Sequence, residues 1–318
     1  MLGVFTNSRL SLIHLHYIEQ CLLSLCLSQM RVLIAEGGGM RTIFGAGVLD
    51  AFEQEGFGGF DLYIGVSAGA NILSSFVTGQ ASRNLMVMAN SAIDSSYLST
   101  RRFLMGGDYI DIDALWEMNE RVNKLNVEKG LRNLSKNNSR FWIMATDVDS
   151  GIATTIEPEV DDWGRCLQAS GALPFFVKNP IELRGQRFLD GGVVAPIPIQ
   201  QAIEAGASEI VVLRSRPSNY RKRAGFEQKF IAAILSKYPA LAKLIPQRTD
   251  RYNNSIELIH SPPKGVVIHE IAPETNLKSS RTCTDTNSIL SDHLSGFKAG
   301  QDFLMNGQCE KLPTRRPV

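Results

Sequence analysis

Ser67 is flanked by glycine two positions either side, in Gly65-Val66-Ser67-Ala68-Gly69. The apolar run Leu62-Tyr63-Ile64 precedes it and Asn71-Ile72-Leu73-Ser74-Ser75-Phe76-Val77 follows. The pattern reads as strand, sharp turn and helix, with the serine at the tip of the turn. Glycines on both flanks let the backbone reverse tightly and let strand and helix pack closely. A hydroxyl held there projects above the sheet edge at a helix N-terminus, where N–H groups and dipole favour negative charge. This is the layout of an acyl-transfer nucleophile. Small residues also fill ordinary strand–helix turns, so the motif needs company.

Two further segments supply it. Glu36-Gly37-Gly38-Gly39-Met40-Arg41 follows the buried-strand run Val32-Leu33-Ile34-Ala35 and precedes a helical face of Ile43, Val48, Leu49 and Phe52. Consecutive glycines at a strand–helix junction expose N–H groups that suit an oxyanion or a phosphate. The phosphate alternative is the weaker, because neither the P-loop spacing nor the dinucleotide fingerprint fits. A turn without any ligand is the plainest alternative. The second segment is Phe188-Leu189-Asp190-Gly191-Gly192, a strand end whose aspartate precedes two glycines. Alone it is ordinary turn chemistry. Beside the other two, Asp190 becomes a candidate base for the Ser67 proton.

At these three motifs, in this order, the chain resembles patatin-like phospholipases. Their marks are a glycine-rich oxyanion loop followed by Arg or Lys, a G-x-S-x-G nucleophile turn, and an Asp-Gly-Gly/Ala motif. Ala169-Ser170-Gly171-Ala172-Leu173-Pro174-Phe175-Phe176 is similar to the segment that family carries between nucleophile and base, and the likeness covers about 31–215. The resemblance implies a Ser67–Asp190 dyad working without histidine. Amides of Gly38 and Gly39, joined by Gly37 and Ala68, would bind the oxyanion. Arg41 would hold the loop or balance Asp190 rather than contact substrate, and Gly65, Gly69, Gly191 and Gly192 would support the motifs. It further implies a phospholipid or other acyl-ester lipid as substrate and no cofactor, and nothing in the sequence resembles a calcium loop. Chain order alone leaves a Ser–Asp–His triad open through His269, in the strand-like 266–271, or His293, on a polar helix turn. A non-catalytic lipid-binding scaffold, or an acyltransferase with the same dyad, would also account for these motifs.

The elements that must position these residues follow from periodicity. Strands are expected at 31–36 and 61–66, and helices at 42–55, 68–79 and across 82–130. Strands at 140–148 and 152–157 flank Asp149-Ser150-Gly151 as a hairpin. A helix at 161–171, a strand ending at Asp190, a helix at 197–205 and a strand at 209–214 follow. The alternation predicts an α/β three-layer sandwich, a mainly parallel central sheet with helices on both faces, the hairpin added at an edge. Ligands in such sheets gather at the carboxyl ends of strands, where all three motifs fall. An amphipathic helix over 285–306 would turn Ile289, Leu290, Leu294, Phe297, Phe303 and Leu304 inward.

The chain is expected to divide into a leader at 1–29, a catalytic core at 30–215 and a helical, lid-like extension at 216–318 that completes the domain. Within the leader, 10–27 is apolar-leaning but broken by His14, His16, Glu19 and Gln20, so no spanning helix is expected. It lacks a basic n-region beyond Arg9 and a cleavage site. An over-extended reading frame starting properly at Met30, or a dispensable helix, is preferred to an amphipathic membrane-surface helix.

With 318 residues, 44% of them hydrophobic, the chain can bury a full core. A net charge of +1 gives no field for nucleic acid. Five scattered cysteines without zinc spacing fit a reduced, cytoplasmic setting, and no pattern predicts a catalytic metal. Over 214–251, ten Lys or Arg oppose Glu227 and Asp250, interleaved with Phe226, Phe230, Ile231, Ile234, Leu235, Leu241, Leu244 and Ile245. Such a basic helical pair could lie peripherally on an anionic membrane. The favoured alternative packs the apolar stripes on the core and leaves the charges in water.

Overall fold

The computed structural model describes residues 30–174, 176–223, 225, 232 and 235–306. The leader at 1–29 and Phe226, Phe230, Ile231 and Ile234 lie outside them. Strands β1 (Met30–Ala35) and β2 (Leu62–Val66) are apolar apart from Arg31 and buried almost throughout, as strands covered on both faces must be. They pair in parallel, and β7 (Ala207–Leu213) and β8 (Val267–Ile271) extend the parallel sheet on the far side of β1. On the other side β2 pairs in parallel with β3 (Arg140–Asp147). The hairpin strand β4 (Ala153–Ile156) then adds antiparallel to β3. β5 (Ile181–Leu183) and β6 (Gln186–Asp190) form a second hairpin, so the antiparallel part is larger than the sequence suggested. Its turn, Arg184-Gly185, has both residues at positive φ, a reversal that matches strand twist.

The pleat of β1 separates two cores. Leu33 and Ala35 face one layer with α1 (Ile43–Gln54), α2 (Ala68–Val77), α3 (Arg83–Ile93), α6 (Trp163–Gly171) and α9 (Thr286–Met305). Helices α4 (Ile112–Val122) and α5 (Val127–Asn137) lie against that layer. Val32 and Ile34 face the other layer, with α7 (Ile199–Glu204) and α8 (Arg248–His260). The result is the expected α/β three-layer sandwich around a mainly parallel sheet.

Two expectations for the C-terminal third need correction. Leu290 and Leu294 do not face inward; they are 42% and 66% exposed. The stripe that meets the core runs through Ile289, His293, Gly296, Gly300 and Phe303. Small residues let α9 approach α1 so closely that a Cβ on Gly296 would overlap the Phe44 carbonyl. The leucines therefore sit one step round the helix, in water. His293, far from lying on a polar turn, is buried and bonded to Asp50 of α1 at 2.8 Å. From 235 on, the described residues of the basic segment form no continuous helical pair either. It forms short turns at Leu235–Lys237, Pro239–Ala242 and Ile245–Gln247 before α8, because prolines 239 and 246 interrupt it. Leu235, Leu241 and Ile245 are buried in the core, as the favoured alternative required.

Strand register brings distant motifs together. Met144 of β3 pairs with Val66 on one side and Thr155 on the other, while Ala145 pairs with Thr154 and Asp190. Since β4 takes one edge of β3 over residues 143–146, β2 and β6 share the opposite edge, end to end. Asp190 thus arrives one register step beyond Val66, beside the turn that carries Ser67.

Candidate active site

Ser67 adopts φ 55°, ψ −128°, a conformation that costs an L-residue about 1–3 kcal/mol and persists only where its surroundings enforce it. Here they do. A Cβ on Gly65 would overlap the backbone of Ala70, and one on Gly69 would overlap the Ala35 carbonyl, so strand and helix meet at contact distance. The Ser67 N–H donates to Ser170 Oγ at 2.7 Å, and that hydroxyl donates to the Met144 carbonyl at 2.6 Å. Ser170, from α6, therefore ties the Ser67 turn to β3. The sequence pointed to the block around Ser170 but to no role for it, because its partners are distant along the chain.

Asp190 ends β6. Its N–H donates to the Ala172 carbonyl at 2.9 Å and its carbonyl accepts from Thr146 Oγ1 at 2.9 Å. Oδ1 accepts from Gly192 N at 2.7 Å. The residue is only 2% exposed, and Oδ2 is buried without a hydrogen-bond partner. Burial pushes the Asp190 carboxyl above the usual carboxylate range. The Ser67 hydroxyl, the Gly192 N–H and the charges of Arg248 and Arg281 pull the other way without cancelling it. Ser67 is close enough to act on the carboxylate in this way, yet not in hydrogen-bond alignment with Oδ2. The cations acting on Asp190 are thus Arg248 and Arg281, not Arg41.

The glycine loop lies directly against the Ser67 turn. A Cβ on Gly37 would stand 2.9 Å from the Val66 carbonyl oxygen and 3.1 Å from Ser67 Cβ. Among the described residues, the N–H groups of Gly37, Gly38, Gly39 and Ala68 donate to no protein acceptor. Beneath the loop, Glu36 accepts from Arg214 Nε (2.9 Å), the Ser215 N–H (2.8 Å) and the Tyr252 hydroxyl (2.9 Å). Ser215 Oγ donates to the Gly37 carbonyl at 2.8 Å, and the Arg281 carbonyl accepts the Met40 N–H at 3.0 Å. Arg214 also pairs with Glu270. Burial weakens the hold on the Arg214 charge, but Glu36, Tyr252 and Glu270 outweigh it and keep the guanidinium firmly protonated.

Ser67, Asp190, Gly37, Gly38, Gly39, Arg41 and Gly192 line one cavity of about 160 Å³. Ala68 begins α2 beside it, and Gly191 packs on the Met144 carbonyl. None of the described histidines lines it: His260 and His269 are bonded to Glu270 and Glu209, as His293 is to Asp50. His14 and His16 lie outside the described residues. No group of His, Cys, Asp or Glu among the described residues is arranged to hold a metal ion, and no described helix is long and apolar enough to cross a membrane.

Comparison with known proteins adds the lineage. Residues 33–203 match the family model of patatin-like phospholipases, and 238–306 match a domain of unknown function, DUF6363. The uncharacterized protein YjjU of Escherichia coli (strain K12) is 32% identical over 273 residues, 86% of this chain and 76% of its own. Among solved structures, VipD from Legionella pneumophila has 13% identity and a TM-score of 0.42, over 88% of this chain and 67% of its own. ExoU of Pseudomonas aeruginosa, solved with SpcU, has 11% identity and a TM-score of 0.29, over 70% of this chain and 53% of its own. The family match contains glycine loop, nucleophile turn and carboxylate strand together, and the relative extends the likeness over most of both chains; the protein belongs to the patatin-like phospholipases and is a lipid hydrolase of patatin type.

Proposed function

We propose that the protein hydrolyses carboxylic esters of phospholipids or related acyl-ester lipids, with Ser67 as nucleophile and Asp190 as general base. The observation that carries this reading is Asp190 Oδ2, a buried carboxylate oxygen with no hydrogen-bond partner, beside a serine held in a strained turn. A proton acceptor with its ionised form disfavoured by burial is a stronger base than a solvated carboxylate.

In the first step the Ser67 Oγ–H proton passes to Asp190 as the Oγ–carbon bond forms at the ester carbonyl. The resulting oxyanion is met by the unclaimed amides of Gly37, Gly38, Gly39 and Ala68, each such donor being worth about a hundredfold or more in rate. Asp190 returns the proton to the alcohol oxygen as the ester bond breaks. Water then attacks the acyl-serine as Asp190 takes its proton, and Asp190 passes that proton to Ser67 Oγ as the acyl–oxygen bond breaks, releasing the fatty acid.

A fluorophosphonate probe is expected to label Ser67, and Ser67→Ala to lose both the label and p-nitrophenyl ester hydrolysis by at least about a thousandfold. Asp190→Asn should lose a comparable factor with the fold intact by circular dichroism. Full activity in that variant removes Asp190 as the base; a folded, unlabelled wild type removes the hydrolase reading altogether.

A further inference from the structure

The cavity above Ser67 is strongly cationic. Arg41, Arg216, Lys222, Arg223, Arg248 and Arg281 line it, against only Glu36 and Asp190. Glu36 is already matched by Arg214 from outside the cavity wall. Among the described residues, Arg41 and Arg216 join no ion pair; Arg41 Nε is buried without a partner, and Arg216 packs over the Tyr220 ring at 4.9 Å. Burial, then the charges of Arg216 and Arg281, pull the Arg41 guanidinium down to about 10. Like charges gathered in a cavity beside a reacting serine repel one another until an anion enters. A polypeptide that needed only to stabilise Asp190 has Arg248 and Arg281 for that purpose.

A second cavity, also about 160 Å³, lies on the other side of the oxyanion loop. Its wall includes Met40, Ile72, Val87, Met88, Tyr97 and Leu115. The two cavities share Gly39 and Arg281, with Ser67 on one side of the junction and Ala68 on the other. An ester carbonyl bound at that junction has an apolar space for its acyl chain and a cationic one for its alcohol.

We propose that this site selects acyl esters whose leaving alcohol carries a phosphate with net negative charge, the acyl chain entering the apolar cavity and the phosphate meeting Arg41 and Arg216. This rests on the hydrolase reading above. Guanidinium groups match phosphate oxygens in pairs, and charge-assisted hydrogen bonds are the strong ones. A choline or ethanolamine headgroup brings its own cation into the same cavity and meets repulsion. The neutral glyceride offers the arginines nothing.

The test uses the purified full chain and short-chain phospholipids below their micellar concentration, with identical acyl chains and either a glycerol-phosphate, free phosphate or phosphocholine headgroup. p-Nitrophenyl butyrate gives the uncharged baseline. The expected kcat/KM is at least about tenfold higher for the anionic lipids than for the phosphocholine lipid. Arg216→Gln should shrink that ratio at least about threefold, chiefly through KM for the anionic lipid, and Arg216→Lys should restore part of it. Glycerol 3-phosphate should compete with the anionic lipid, and inorganic phosphate only weakly, if the recognised group is the lipid headgroup; equal inhibition by both assigns the cavity to free phosphate and overturns the proposal. Met88→Trp, which fills the apolar cavity, should penalise octanoyl esters more than butanoyl ones.

Equal rates for anionic and phosphocholine lipids, with p-nitrophenyl ester turnover intact, overturn the headgroup proposal and leave the hydrolase reading standing. Absence of turnover of every ester removes the hydrolase reading instead. A preference seen only on anionic vesicles, and not with monodisperse lipids, reflects attraction to a surface and also overturns the proposal. The wild-type series decides the headgroup question even should a variant fail to fold.

Discussion

Asp190 is kept where its ionised form is disfavoured, and two consequences of opposite sign follow. As the proposed base it would work only when deprotonated, so kcat/KM should rise with pH through an inflection above the ordinary aspartate value of about 4. Stability should move the other way. Because burial raises the folded-state pKa above the unfolded one, the folded protein holds the proton more tightly. That contribution is present below the unfolded pKa and is lost as pH rises through the folded pKa. Asp190→Asn keeps an oxygen for the Gly192 N–H and removes the buried charge, so its Tm should exceed that of the wild type at pH 7 while activity is lost. A Tm below the wild type at pH 7, or a pH profile with its limb at the ordinary value, contradicts the burial argument. Ser67, Asp190 and the three glycines were legible in the sequence because each belongs to local turn chemistry with its own spacing. Ser170, Arg248 and Arg281 were not, since their value arises only where chain segments far apart meet.

At the level of elements, the sheet was readable where period and composition agreed, as in β1, β2 and β7. The inward face of α9 was misread because leucine was given more weight than glycine. Hydrophobicity locates a helix face only when packing distance is ordinary, and Gly296 and Gly300 allow a closer approach than leucine can fill. Gly296→Ala should therefore cost at least about 2 kcal/mol in urea unfolding, an overpacking penalty, since its added methyl meets the Phe44 backbone rather than a yielding side chain. Leu294→Ala, at an exposed position, should stay within about 0.5 kcal/mol. The reverse ranking would mean that α9 packs by its leucine face after all.

Across the whole molecule, the two matched segments are stitched together by charge. Arg214, just past β7, reaches Glu36 at the glycine loop, Tyr252 on α8 and Glu270 on β8. Removing it strands carboxylates that are largely out of water. Arg214→Met should destabilise the protein by about 3–5 kcal/mol, and adding Glu36→Gln should recover part of the loss. Additive single and double variants in a denaturant cycle would show that the pair is not coupled. Nothing in the sequence announced this link, because a lone arginine at a strand end reads as a solvated charge.

The Arg184-Gly185 reversal lies well away from the serine, yet it fixes the phase in which β6 runs back along β5 and so meets β3. Side chains on a strand point alternately up and down, so one extra residue absorbed on the β6 side of that bend would exchange Leu189 for Asp190 at the edge abutting β2. The proposed ester-cleaving chemistry is in this sense timed from a surface bend: its length, more than its composition, decides whether an acid or a hydrocarbon is delivered to the hydroxyl.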